Sequence, residues 1–185
     1  MTNRLFIALE IPDEVKDKLI YLRNEIYGAG FKKIKWENKD KLHITLKFLG
    51  ETEITLYPEL KNTVSETVEK QKKTLLSFSE FGVLYNNTSP RILLTGTEKN
   101  NELQCFKRNI DDRLSELGFE KESRRFDPHL TIFRFKRAED SIIEEKFLNK
   151  KIENVKFTTE KIVIYKSSLL KSGSVYEPVD AFFMK

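Results

Sequence analysis

At 185 residues, with 39% hydrophobic and 34% charged positions, the chain can bury a core of its own and is too apolar to be disordered. Its formal net charge of +4 permits a polyanionic partner without demanding one. No apolar run nears the roughly 20 residues that cross a bilayer, Asp13 and Glu14 arrive before a leader pattern forms, and the single cysteine, Cys105, leaves no internal disulfide, so we expect a cytoplasmic monomer with no membrane attachment.

The segment Leu5 to Ile11 reads as a mostly buried strand. Pro12 then opens a helix whose apolar residues Val15, Leu19, Leu22 and Ile26 recur at helical spacing, and Gly28 and Gly30 end it. A short strand is predicted around Ile34 to Trp36 and a stronger one from Leu42 to Leu49, closed by Gly50. Leu60, Val64 and Val68 space a second helix, followed by an extended run from Thr74 to Tyr85, a turn at Asn86, Asn87, Ser89 and Pro90, and a strand from Arg91 to Thr95. A third helix runs from about Asn101 to Leu117 with Gly118 as its stop. A strand carrying His129 follows, then a short helix around Ser141 to Leu148, two extended runs from Val155 to Leu170, and a last strand near Val175 to Phe183.

Several strands succeed one another with no helix between them, which favours an α+β fold with largely antiparallel sheets. No Gly/Pro/Ser-rich linker divides the chain, so residues 1–185 are expected to form one domain. Within it one pattern occurs twice: Leu42-His43-Ile44-Thr45-Leu46-Lys47-Phe48 echoes Pro128-His129-Leu130-Thr131-Ile132-Phe133-Arg134. Two related lobes, each supplying one such strand, are the natural inference.

These are the chain's only two histidines. Side chains alternate along a strand, so His43 shares a face with Thr45, and His129 with Thr131, while Ile44 and Leu130 anchor the opposite faces. One His-x-Thr on a strand is most often a surface coincidence, but both histidines in matched contexts are not. An imidazole titrates near pH 6.5, so one of a pair can take a proton while the other gives one, which suits displacement at phosphorus. With one cysteine and no tight carboxylate cluster beside them, the histidines offer too few ligands for a metal site of the usual kind, and chemistry without a cofactor is expected. Basic residues gather around the second motif: Arg124, Arg125, Arg134, Lys136 and Arg137.

The chain resembles the 2H phosphoesterases, and within them the bacterial and archaeal RNA 2′,3′-cyclic phosphodiesterases, also called 2′-5′ RNA ligases. RLFIAL at 4–9, Trp36, LHITLKFLGE at 42–51, PRILLTG at 90–96, RFDPHLTIFR at 125–134 and SLLKSGSVYEPV at 168–179 carry the resemblance over almost the whole length. It implies a bilobal fold: two mostly antiparallel sheets related by a pseudo-two-fold, helices on the outer faces, and a basic cleft between the lobes. It also implies that His43 protonates the leaving 3′ oxygen and His129 activates water, giving a 2′-phosphomonoester. Thr45 and Thr131 would hold the phosphate with Arg134, and the partner would be an RNA with a 2′,3′-cyclic phosphate end, tRNA fragments among the candidates.

Strict alternation puts Arg134 on the face opposite His129, so a bulge or the strand's end must turn it inward for that role. Phe48, a candidate for base stacking, falls by the same parity with Ile44 and Leu46 on the core side. Lys47 shares the His43 face and is a phosphate candidate, Arg91 opens a strand that the resemblance places near the cleft and is a candidate for substrate contact, and Trp36 either stacks a terminal base or covers a lobe edge. Arg124 and Arg125, if on a strand, would face opposite ways, and Asp127 beside Pro128 would shape the strand's entry. Joining a cyclic end to a 5′-hydroxyl through a 2′-5′ bond would use the same residues. A non-catalytic RNA-binding module is the alternative from another class, although binding alone has no need of two titrating imidazoles.

Overall fold

The protein is described by a computed structural model, which covers residues 1–28, 34–136, 140–171 and 173–185. Gly30 and Arg137 lie outside the described residues. The first strand, β1 (Thr2–Glu10), buries Leu5, Ile7 and Leu9 in the main core and Phe6 and Ala8 in a second, smaller cluster. Both of its faces are covered, which is why it reads as an unbroken apolar run. Helix α1 (Asp13–Tyr27) follows Pro12 and ends at Gly28, whose φ of 82° a residue without Cβ adopts freely. The strand expected around Ile34 to Trp36 does not form. That stretch has no ladder of its own, and just after it the Glu37 N–H donates to the Ile132 carbonyl at 3.0 Å.

The remaining elements match the expected order: β2 (His43–Glu53), α2 (Tyr57–Glu69), β3 (Leu75–Asn86), β4 (Ser89–Thr97), α3 (Asn101–Ser115), β5 (His129–Arg134), α4 (Ser141–Phe147), β6 (Lys156–Thr158), β7 (Lys161–Leu170) and β8 (Gly173–Phe183). Asn100 caps α3 by accepting from the Leu103 N–H at 2.8 Å. No helix among the described residues is long and apolar enough to cross a membrane.

Where two sheets were expected, the strands form one eight-stranded antiparallel sheet in the order β6-β3-β4-β5-β2-β1-β7-β8. Two four-strand halves meet between β5 and β2, where Ile44 pairs with Leu130. That pair fuses the halves because both residues are fully buried and hold the seam from the core side. The runs β1-α1-β2-α2 and β4-α3-β5-α4 repeat one order; after the first, β3 crosses to the other half and pairs with β4, and after the second, β6 stays beside β3 before β7 crosses to pair with β1.

Ile44, Leu46, Leu130 and Ile132 share the main core with helix residues Leu19, Leu60, Leu103 and Phe106. Burying each such side chain stabilises the fold by roughly 1.5–3 kcal/mol. The helices therefore cover one side of the seam. The His-x-Thr side chains project from the other.

Candidate active site

Antiparallel pairing at Ile44 and Leu130 decides what faces what across the seam. One residue to either side, His43 comes opposite Thr131, and Thr45 opposite His129. Each imidazole is thus set against the other half's threonine, and all four side chains line a single cavity of about 980 Å³ that follows the seam. A space of that size accommodates a nucleotide with its neighbours.

The two motif strands then break step in the same way. Along β2 the partners on β1 run Thr45 with Ala8, Lys47 with Ile7 and Phe48 with Phe6, leaving Leu46 as the extra residue of a bulge. Along β5 the partners on β4 run Thr131 with Leu94, Phe133 with Leu93 and Arg134 with Ile92, leaving Ile132 as the extra residue. In both strands the shift falls three residues after the histidine and returns the fifth to the histidine's own face.

Arg134 therefore joins His129 and Thr131, as a phosphate contact requires. Its Nε donates to Glu37 Oε1 at 3.1 Å, and the head lies in the cavity wall. Phe48, which alternation assigned to the core, instead stands 73% exposed on the His43 side, its ring 6.0 Å from Phe6. Lys47 moves the other way. It leaves the His43 row, pairs in register with Ile7, and is buried with its Nζ 2.5 Å from Asp111 Oδ1 and 2.7 Å from the Glu120 carbonyl.

Although the motifs match, their surroundings differ. His43 is walled by aromatic rings, with centroids 5.1 Å from Phe6, 5.7 Å from Tyr165 and 5.5 Å from Tyr176. This burial pushes its pKa down to about 4, and the nearby cations Lys16 and Arg134 act in the same direction, against a hydrogen bond to the Lys41 backbone. Burial, with Glu10 adding to it, likewise raises the Tyr165 hydroxyl to about 12, so that ring stays neutral.

His129 is held instead by the main chain. Its Nδ1 lies 2.8 Å from the Asp127 carbonyl oxygen. A carbonyl can only accept, so Nδ1 carries a hydrogen and Nε2 keeps its lone pair. Asp127 thus serves through its backbone. Both histidines lean on the main chain two residues upstream, one on Lys41 and the other on Asp127.

Trp36 is turned away from the cavity: it packs edge-on against Tyr27, Phe133 and Phe147 on the helix side, with the Arg23 guanidinium 4.9 Å over its ring. It covers a lobe edge, since an indole gains more from three rings than from solvent. Arg91 is exposed and outside the cavity wall, because the site face of β4 belongs to Ile92, Leu94 and Gly96. Arg124 and Arg125 lie on an irregular loop rather than a strand, so both can reach the wall. They pair with Glu122 and Asp127 respectively. Sequence reasoning overlooked the aromatic wall. Phe6 and Tyr176 sit within the resembling segments at 4–9 and 168–179, and that coincidence is the signal that could have found them.

The family model for LigT-like phosphoesterases matches residues 9–94 and 96–176. A protein of Methanocaldococcus jannaschii named RNA 2′,3′-cyclic phosphodiesterase is 34% identical over 95% of this chain and 98% of its own. One of Thermotoga maritima with the same name is 28% identical over 94% and 91%. Among solved structures, E. coli LigT complexed with 3′-AMP superposes with a TM-score of 0.80 at 21% identity, covering 100% of this chain and 99% of that one. At that identity the superposition speaks for the fold.

Proposed function

The chain belongs to the LigT-like phosphoesterases of the 2H superfamily, and on that ground we propose that it hydrolyses RNA 2′,3′-cyclic phosphate ends to 2′-phosphomonoesters with His43 and His129 as proton donor and acceptor. The observation that carries this reading is the crossed arrangement at the seam, each imidazole opposite the other motif's threonine. The identical register shift in the two strands supports a pseudo-two-fold between two lobes of one catalytic domain.

Water enters on the His129 side, where Nε2 is free to take its proton as the oxygen attacks phosphorus. Thr45, Thr131 and the Arg134 guanidinium hold the non-bridging oxygens while charge shifts among them. The P–O3′ bond breaks, and His43 gives its proton to O3′. A free His43 with a pKa near 4 is neutral at pH 7, so the proton must come with the substrate: an anionic phosphate beside the ring favours the charged form and reverses the effect of burial. Phe48, exposed beside the Phe6 ring, offers a face on which the terminal base can stack. No step uses a metal ion.

The test is an oligoribonucleotide ending in a 2′,3′-cyclic phosphate, incubated with and without EDTA, with the product isomer identified. A 2′-monoester formed at equal rates in both is expected. A 3′-monoester would overturn the assigned leaving group, and loss of turnover with EDTA the metal-free route. A 5′-hydroxyl RNA added to the same reaction reads whether an RNA hydroxyl takes the place of water.

A further inference from the structure

Beyond Thr45 the cavity continues past the start of β5, into the gap between β2, helix α3 and the loop at residues 118–128. Two lysines stand in that wall, Lys47 from β2 and Lys107 from α3, only 6% and 4% exposed. Both pair with one carboxylate, Asp111, through its two oxygens. No other carboxylate is in ion-pair reach of either among the described residues. Two ammonium groups on one carboxylate leave one buried positive charge uncompensated.

Such a charge is costly to bury unless an anion stands near it. Beside the cluster Lys121 is paired with Asp112 and Arg124 with Glu122, and since Glu122, whose charge also acts on Lys107, is already balanced by Arg124, these two pairs leave the surplus in place. Lys47 also donates to the Glu120 carbonyl at 2.7 Å, and the Lys107 ammonium lies 5.9 Å over the Phe126 ring, which ties the loop to the cluster. Thr45, Lys47 and Lys107 line one continuous cavity, so a chain held at the seam can reach the cluster.

We propose that Lys47, Lys107 and Asp111 form a second phosphate subsite, which takes the phosphodiester on the 5′ side of the terminal nucleotide of an RNA. This rests on the function proposed above. A terminal cyclic phosphate has chain on its 5′ side alone, so the next anion the cavity meets is that linkage. The subsite makes the protein prefer a polynucleotide end over a free cyclic mononucleotide.

The test compares adenosine 2′,3′-cyclic phosphate with the dinucleotide ApA ending in the same group, and with that dinucleotide carrying an uncharged methylphosphonate linkage. In the wild-type protein kcat/KM for the diester is expected to exceed the other two about tenfold, with a steeper fall as salt rises. In Lys107→Met, which leaves Lys47 and Asp111 as a neutral pair, the diester-to-mononucleotide ratio falls towards one. Equal kcat/KM for diester and methylphosphonate in the wild type overturns the subsite without recourse to any variant, as does an unchanged ratio in Lys107→Met. A merely structural role would slow all substrates alike and leave the ratio where it was. Hydrolysis of none of the three sinks the underlying function instead.

Discussion

The two halves of the sheet present the same device in different company. Each has His-x-Thr, a register shift three residues after the histidine, and a fifth residue returned to the site face. In one half that residue is Phe48 beside Phe6, with Tyr165 and Tyr176 around the imidazole. In the other it is Arg134, braced by Glu37. A shared backbone solution thus fixes where functional groups point, while the side chains around it divide the labour between a dry aromatic wall and a cationic one.

Substituting the histidines breaks both halves at once. His43→Ala and His129→Ala are each expected to lower kcat by about 10²–10⁴, with circular dichroism and melting behaviour near wild type. A single variant with close to wild-type turnover would end the paired acid and base scheme. Next in size is Arg134→Gln, which removes a charge-assisted contact and should cut kcat/KM by about 10–100-fold for every cyclic phosphate, with or without a base. Phe48→Ala sharpens the contrast: about a tenfold loss is expected with a nucleoside cyclic phosphate, and none with the cyclic phosphate of an abasic ribose. If both substrates slowed equally, the aromatic half would not be reading the base.

The smallest effect concerns stability. His43 has a folded pKa near 4 against about 6.5 when unfolded. Above pH 6.5 it is neutral in both states, and as pH falls towards 4 the unfolded chain takes up the proton first, so stability declines through that window. The decline should be on the order of 2 kcal/mol, read by urea unfolding at pH 7 and pH 4.5. His43→Gln should lose less over the same interval, and an equal loss would mean the aromatic wall does not hold the ring neutral.

Much of the fold was legible because its elements are short and strongly patterned. The helices at Val15, Leu60 and Leu103 and the strands on either side of them stand where periodicity put them. The expected strand at Ile34 to Trp36 failed because so short a run, Ile34-Lys35-Trp36, has no ladder partner, and Trp36 found rings to pack against instead. Arg91 failed by parity, since the neighbouring Ile92 and Leu94 take the site face. Parity also misplaced Phe48 and Lys47, and it set Arg134 at odds with the role the resemblance implied. One extra residue in a strand reverses everything beyond it, and nothing in Leu46 or Ile132 announces that it will be the extra one.

By itself the sequence determined that two imidazoles would each stand beside a threonine on a strand anchored in a core, because alternation over three residues is local geometry. It also determined the family, since the resembling segments are spread along almost the whole chain. Only the tertiary structure decided that the two strands meet at Ile44 and Leu130, that each shifts register at the same step, and that the rings of Phe6, Tyr165 and Tyr176 close on His43 while Arg134 is braced beside His129. These depend on partners far apart in the chain, and a ladder's register is settled by the strand alongside it.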